Sequence, residues 1–194
     1  MPQITRDSLM TLEAYARARP QFRARVMAHK KNRALHIGGN LTLIFEDELT
    51  IRYQVQEMLR AEKIFEDEGI ADELDAYNPL IPDGNNWKAT MLIEYPDPAD
   101  RQRMLSRLIG IEDKVWVKIE GFQRVYAIAD EDLERDNAEK TSSVHFLRFE
   151  LDAAMVQALR RGAGLAAGVD HPEYNAVVDS VDPAVRESLI ADLV

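Results

Sequence analysis

The hydrophobic pattern changes its period near the middle of the chain. Between residues 5 and 77, apolar side chains such as Leu9 and Leu12 recur at the spacing of a helix. After that point, short runs such as Lys88–Tyr95 (KATMLIEY) and Val144–Leu151 (VHFLRFEL) are typical of strands. Helices followed by a mixture of strands and helices predict an α+β fold. We expect a mainly antiparallel sheet with packed helices and an N-terminal helical arm.

Capping residues and turn signals divide the two halves into elements. In the first half we predict helices over Thr5–Ala18, from Pro20 to near Arg33, and over Glu46–Glu68, which would be the longest. In the second half, two alternating runs around Gly121 and Phe122 predict a hairpin. No internal repeat, long linker or low-complexity tract interrupts the 194 residues. We therefore predict a single domain over residues 1–194, with a helical arm (1–33) and an α+β body (34–194).

Charge is distributed very unevenly between the arm and the body. Residues 1–33 carry eight Lys/Arg against two Asp/Glu, whereas the other 161 residues carry 16 Lys/Arg against 32 Asp/Glu. Opposite charge blocks either dock on each other or bind an outside partner. Nucleic acid is a poor partner because the acidic body would repel phosphate, so RNA binding through residues 17–33 is the weaker alternative.

We expect the arm to pack on the body chiefly through apolar contact. Leu9, Leu12, Phe22 and Val26 all require burial. Burying one large apolar side chain contributes about 1.5–3 kcal/mol, whereas an exposed ion pair contributes about 0–1 kcal/mol.

Several classes of function lack their sequence signals. The chain has no cysteine, which excludes disulfides, thiolate nucleophiles and cysteine-bound zinc or iron–sulfur clusters. No apolar run approaches the ~20 residues that span a bilayer, and the first ten residues (MPQITRDSLM) lack a signal pattern, so we expect a cytoplasmic protein without membrane contact. Glycine-rich nucleotide loops and the serine nucleophile elbow are also missing.

The helix after Phe45 offers one candidate binding face. Arg52 and Gln56 are four residues apart, as are Tyr53 and Glu57, so each pair shares a face of the helix. Arg52 would bind an anionic group, Gln56 would line the same wall, and Glu57 would act as a base or ligand. The alternative is a solvent-exposed helix surface with salt bridges. Because arginine, tyrosine and glutamine are enriched at contact surfaces, we predict that the Arg52 face borders a cavity or interface.

A loop and two histidines complete the candidate residues. In the proline-containing loop Asn78–Trp87, Trp87 offers a stacking surface for a ligand, unless the loop merely links the two halves.

A strand period of two places His145 on the same face as Leu147 and Phe149, so we predict that His145 is buried.

A buried imidazole needs a carboxylate, carbonyl, hydroxyl or metal partner. We rank the hydrogen-bonded form of His145 first and metal binding second, with His36 as the other metal candidate. No pair of histidines or of glutamate and histidine has metal-site spacing, so a metal site would have to be assembled from distant segments.

Several longer segments resemble a known family. HKKNRALHIGGNLTLIFEDELTIRYQVQEMLRAEKIFE, DELDAYNPLIPDG, YAIADEDLERDNAEKTSSVHFLRFEL and GVDHPEY are similar to the bacterial family catalogued as domain of unknown function 3501, across nearly the whole chain. The resemblance implies a link to peroxide, iron or redox metabolism, because genes of this family often lie near those of rubrerythrin-like and iron–sulfur oxidoreductase proteins. The family has no assigned activity, so no catalytic residue is carried over.

Two hypotheses for the function follow. The first is a cytoplasmic binding or accessory protein that works with a redox or iron-handling enzyme, contacted through the basic arm or the Arg52 helix. The alternative is a metal- or carboxylate-dependent enzyme with a site near His145, His36 and the Arg52/Glu57 helix. The sequence specifies neither a cofactor nor a substrate, and it leaves a homo-oligomer open.

Overall fold

The computed structural model describes residues 3–194, and it confirms an α+β fold built on two antiparallel sheets. The helices are α1 (Leu12–Lys30), α2 (Glu48–Ala61), α3 (Asp67–Tyr77), α4 (Pro98–Arg107), α5 (Ala153–Arg160) and α6 (Pro183–Ile190). The strands are β1 (Ala34–Ile37), β2 (Leu41–Glu46), β3 (Asn86–Ile93), β4 (Val115–Ile119), β5 (Val125–Tyr126), β6 (Ile128–Ala129), β7 (Val144–Glu150), β8 (Leu165–His171) and β9 (Tyr174–Val178). None of the helices within residues 3–194 is long and apolar enough to cross a bilayer.

The two sheets share one hydrophobic core. The five-stranded sheet has the order β1-β2-β3-β7-β6, and the four-stranded sheet has the order β5-β4-β8-β9. Side chains from both sheets, including Phe149 and Val117, belong to the same buried cluster. The chain passes from one sheet to the other at Ala127, between β5 and β6. The second half of the predicted hairpin is therefore divided between the two sheets. This crossing brings the segments before β4 and after β6 close to β7.

The first long helix is continuous, so the prediction of two helices divided before Pro20 is wrong. Pro20 lies inside α1, although a proline in a helix interior costs about 3 kcal/mol. Tyr15 and Val26, on either side of it, are both fully buried, and their packing offsets that cost. The predicted helix Glu46–Glu68 is also too long: α2 ends at Ala61, because Lys63 adopts a positive φ of 55°.

The described part of the basic arm, residues 3–33, lies against the body and makes apolar contact with it. Ile4 is buried in a second hydrophobic cluster with Ile51 and Val55 of α2, and Leu9 and Leu12 pack against the same cluster. Ion pairs add to this contact, among them one of 2.7 Å from Arg19 to Glu57.

Arg33 is the most deeply buried charged side chain of the described residues, with 1% of its surface exposed. Its guanidinium lies 2.5 Å from the Asp192 carboxylate and 3.5 Å from that of Asp47. It also donates to the carbonyl oxygens of Phe45 (2.8 Å) and Glu46 (3.1 Å). Arg33 thereby connects the end of α1 to the residues that follow α6.

The turn between β1 and β2 requires glycine at one position. Gly38 has a φ of +70°, and a Cβ there would lie 2.5 Å from the Tyr174 hydroxyl oxygen. We expect Gly38→Ala to lower the free energy of unfolding by about 1–3 kcal/mol in urea denaturation, because it combines backbone strain with overpacking. Gly39→Ala is the matched control, since a Cβ at Gly39 meets nothing within 4 Å. Equal losses for the two variants would contradict this explanation.

Candidate metal site

The three polar residues predicted to bind a partner on α2 all contact the N-terminal arm. The Arg52 side chain pairs with Glu48 (Nε to Oε1, 2.7 Å) and donates to the Ser8 carbonyl (2.6 Å). Gln56 is fully buried and pairs with the backbone of Met10, accepting from its N–H at 2.8 Å. Within the described residues, the Arg52 face therefore borders an interface with the chain's own arm.

Glu57 is part of the same contact. Its Oε1 accepts from the Tyr15 hydroxyl and from Arg19, each at 2.7 Å. The hydrogen bond from Arg19 holds the pKa of Glu57 below its usual range, while burial and the Glu57 carboxylate raise the pKa of Tyr15. A carboxylate that is already paired in this way holds the arm in place. Contact of Arg52, Gln56 or Glu57 with an outside partner stays a prediction.

Trp87 lies in the hydrophobic core, because β3 begins at Asn86 and directs this side chain inward. The ring is fully buried, and its Nε1–H donates to the Leu189 carbonyl at 2.9 Å. The structure therefore gives Trp87 no surface that a dissolved ligand could reach.

The structure does not bring the two metal candidates together. The register aligns His145 with Met91, Leu43 and Leu35 across four strands. His36 follows Leu35, so its side chain points to the opposite face of the sheet, and three strand spacings separate it from His145 by ~14 Å. His36 is exposed and bonds to the Thr42 hydroxyl (2.9 Å).

The predicted burial of His145 is confirmed, and both ring nitrogens have partners. His145 is 0% exposed. Its Nδ1 lies 2.6 Å from Asp130 Oδ2, and its Nε2 lies 3.0 Å from the Ser142 carbonyl oxygen and 2.9 Å from Thr141 Oγ1. A carbonyl only accepts, so the hydrogen-bond network places a proton on Nε2. Nδ1 faces the Asp130 carboxylate, which also only accepts, so this 2.6 Å contact requires a proton or a cation between the two atoms.

Asp130 directly follows β6 and has an unusual backbone conformation. Its φ of 50° is a left-handed value that non-glycine residues rarely adopt, and such strain is often found at functional sites. Two contacts fix the carboxylate, since Oδ1 accepts from the Phe146 N–H (3.0 Å) and from Arg135 (3.1 Å). Oδ2 is thereby directed at His145.

Glu112 contributes the third group, from the 3-10 turn Ile111–Lys114 before β4. Only 9% of the residue is exposed, and its buried Oε2 has no hydrogen-bond partner among residues 3–194. Burial raises the pKa of Glu112 to about 7, and the neighbouring Asp136 carboxylate adds to that increase. An unpaired buried carboxylate oxygen is costly, so it indicates a missing proton, water or cation.

These three side chains form a compact donor set. One ligand atom from each of Glu112, Asp130 and His145 lies within 4.8 Å of the other two. Glu112 and Asp130 line a cavity of about 590 Å³, whose other carboxylates come from Asp113, Glu134 and Asp136, whereas His145 lies buried behind Asp130. Within the part of the chain that the structure describes, Arg135 is the one cationic residue that lines the cavity. The cavity therefore attracts cations and disfavours anions.

A second arrangement at the same place resembles a hydrolase triad. Thr141, His145 and Asp130 have the order of nucleophile, base and carboxylate that activates a hydroxyl. However, Thr141 is only 1% exposed, and its hydroxyl donates to Asp136. A buried hydroxyl that already donates elsewhere is a poor nucleophile, whereas the donor set of Glu112, Asp130 and His145 suits a cation.

Of this donor set, only His145 was predicted from the sequence. Asp130 and Asp136 belong to the polar run Asp130–Lys140 (DEDLERDNAEK), which looks like an ordinary exposed loop. The useful signal is the position of that run between two strands, immediately before the segment that carries His145. Glu112 gives no such signal, because only the fold places it beside β7.

Comparison with known proteins places the chain in a family. Residues 3–193 match the model of the family described as "Protein of unknown function (DUF3501)". A crystal structure of a novel protein of unknown function from Burkholderia pseudomallei K96243, at 1.90 Å resolution, is 58% identical, with a TM-score of 0.95 and complete coverage of both chains. No curated protein matches this chain. The chain therefore belongs to the DUF3501 family, as its sequence segments predicted.

Proposed function

We propose that this protein binds one divalent first-row transition-metal ion through Glu112, Asp130 and His145. The observation that carries the proposal is the buried, unpartnered Oε2 of Glu112, which lies beside two other candidate donors. A first-row metal ion lies about 2.0–2.2 Å from its nitrogen and oxygen ligands. The three donors, which lie within 4.8 Å of one another, would draw together around such an ion.

The hydrogen bonds around His145 support a role as a ligand through Nδ1. The Ser142 carbonyl accepts from Nε2–H, which is the usual way in which a metal-binding histidine is oriented. Nδ1 then has its lone pair directed to the Asp130 side, where an ion would replace the proton that Asp130 otherwise accepts.

The types of donor favour Fe(II) or Mn(II). Carboxylate oxygens suit Mg²⁺ and Mn²⁺, whereas imidazole suits iron and later first-row metals. One imidazole together with two carboxylates combines both preferences. The absence of cysteine removes the thiolate ligands that soft ions prefer. We therefore expect Mg²⁺ to bind more weakly than Mn(II).

Metal titration of the full chain tests this proposal. We expect isothermal titration calorimetry to give one Mn(II), or one Fe(II) under anaerobic conditions, for each chain. Glu112→Gln should weaken binding by at least about 100-fold, which is the upper end of the effect of losing an outer-shell partner. Asp113→Asn is the matched control, because Asp113 lines the same cavity outside the donor set. The proposal fails if neither ion binds, or if both variants bind Mn(II) equally well.

The iron or redox partner implied by the family resemblance is part of this proposal. In this accessory role, the protein would pass Fe(II) to a non-haem iron enzyme. The acidic cavity supports this direction of function, because it attracts cations and not anionic substrates. Recovery of activity of a metal-free iron enzyme should be faster with the Fe(II)-loaded protein than with the same total Fe(II) and the Glu112→Gln variant. Equal rates would contradict the accessory role.

A further inference from the structure

A second cavity, of about 550 Å³, lies between α3 and the face of the five-stranded sheet opposite to His145. Its apolar walls include Met58 of α2, Tyr77 at the end of α3, Leu80, and Phe146 of β7. Cavities of a few hundred cubic ångströms with mainly apolar walls are typical of sites for small organic molecules. This cavity is separate from the donor set, although Phe146 is adjacent to His145.

The charged residues that line this cavity are mostly acidic. The carboxylates come from Glu46, Glu73, Asp75, Glu131 and Asp132, and the cations from Lys88 and Arg148. Both cations already have partners. Lys88 Nζ lies 3.0 Å from Asp83 and 2.7 Å from the Pro79 carbonyl, and Arg148 forms ion pairs with Glu131 and Glu150. The cavity therefore has an excess of negative charge.

Glu46 shows most clearly where a cation is missing. Its Oε1 accepts from the Thr90 hydroxyl (2.7 Å) and its Oε2 accepts from the Thr50 hydroxyl (2.5 Å). Lys88 is its direct partner across the two strands, but the Lys88 ammonium group turns to Asp83 instead. Among the described residues, Glu46 has no ion pair. Each of its oxygens has a lone pair left for another donor.

A second carboxyl of the cavity is also uncompensated. Burial, together with the neighbouring Glu62 and Asp72, raises the pKa of Glu73, which is the effect expected where negative charge is not balanced by a cation.

We propose that this cavity binds a small organic cation with an apolar, preferably aromatic, body and an ammonium group. The apolar body would lie against Met58, Leu80 and Phe146, and the ammonium group would bind Glu46. Binding would transfer apolar surface out of water and supply the charge that Glu46 lacks. The excess of carboxylates disfavours organic anions of the same shape. This inference concerns a different cavity from the proposed metal site and does not depend on it.

Three probes with the same ring system test the charge preference. Tryptamine, tryptophol and indole-3-propionate carry a positive, a neutral and a negative side chain. In isothermal titration calorimetry of the full chain, we expect tryptamine to bind, tryptophol to bind at least about tenfold more weakly, and indole-3-propionate to give no detectable binding. Equal affinities for the three probes would overturn the proposal, as would no binding of tryptamine up to millimolar concentration.

Two variants test the location. Glu46→Gln removes the charge but can still bond to both threonines, accepting through its amide oxygen and donating through its amide nitrogen. It should therefore weaken tryptamine binding at least about tenfold and leave tryptophol binding unchanged. Ala76 lies at an exposed position of α3 and lines the cavity, so Ala76→Trp should block the binding of both probes. This variant tests the location of the site if Glu46→Gln does not fold. Glu13→Gln on α1 is the matched control.

Failure of the tryptamine proposal can be distinguished from failure of the metal proposal. Tryptamine binding that persists in both Glu46→Gln and Ala76→Trp would show that this cavity is not its site. The Glu112→Gln variant should bind tryptamine as the unmodified protein does.

Discussion

Replacing Arg33 with methionine is expected to lower the free energy of unfolding by about 3–5 kcal/mol, because it leaves buried carboxylates without their cation. Arg33 is almost completely buried between Asp192 and Asp47. Burial raises the pKa of Asp192 even with Arg33 present. Without the guanidinium, Asp192 has to remain charged in a buried position or take up a proton.

Urea denaturation followed by circular dichroism measures this effect. Arg60→Met, at an exposed position of α2, is the matched control and should change stability by less than about 0.5 kcal/mol. Adding Asp192→Asn to Arg33→Met should recover part of the loss, because the second substitution removes one uncompensated charge. A loss below about 1 kcal/mol for Arg33→Met would indicate that water reaches these groups and that the ion pairs behave as surface pairs do.

Trp87→Ala is expected to lower the free energy of unfolding by about 3–5 kcal/mol, because it leaves a large cavity in the core. It also leaves the Leu189 carbonyl without its donor. Trp87→Phe retains most of the ring and should cost less. Urea denaturation measures both losses, and Mn(II) titration of the folded variants should give an unchanged affinity. If Trp87→Ala abolished binding of a ligand without loss of stability, Trp87 would be the binding residue that the sequence predicted.

Local signals in the sequence identified several features of the fold correctly. The alternation in VHFLRF predicted that His145, Leu147 and Phe149 share a buried face, and all three are buried in β7. Asp152 and the pair Asp182-Pro183 have the residue pattern of a helix start, and the structure has both aspartates as the caps of α5 and α6. Such features depend on residues close together in sequence, so they are accessible without tertiary structure.

Features that depend on tertiary contact were missed or predicted incorrectly. Pro20 looks like a helix start, but the burial of Tyr15 and Val26 keeps α1 continuous through it. Trp87 looked accessible because the loop before it is rich in proline, glycine and asparagine, yet the pairing of β3 with β7 begins at Asn86 and turns the ring inward. Whether Trp87 belongs to the loop or to the strand depends on that pairing, which the composition of the loop does not reveal.

The donor set shows why the candidate site was harder to predict than the fold. Glu112, Asp130 and His145 come from three segments that meet only because the chain changes sheets at Ala127. No spacing rule connects them. His145 was found because its own strand pattern requires burial, whereas Glu112 is recognisable only from its unpartnered oxygen in the folded protein.

The contact between Arg33 and Asp192 also has a consequence for the rate of folding. The two residues are 159 positions apart in sequence, as far apart as almost any pair in this chain. Closing so long a loop is entropically unfavourable, and native contacts between distant residues slow the search for the folded state. We therefore expect docking of α6 to be a late event. Until it occurs, the Arg33 guanidinium and the Trp87 Nε1–H lack their partners Asp192 and Leu189, and we expect the partly folded chain to expose apolar surface that can self-associate.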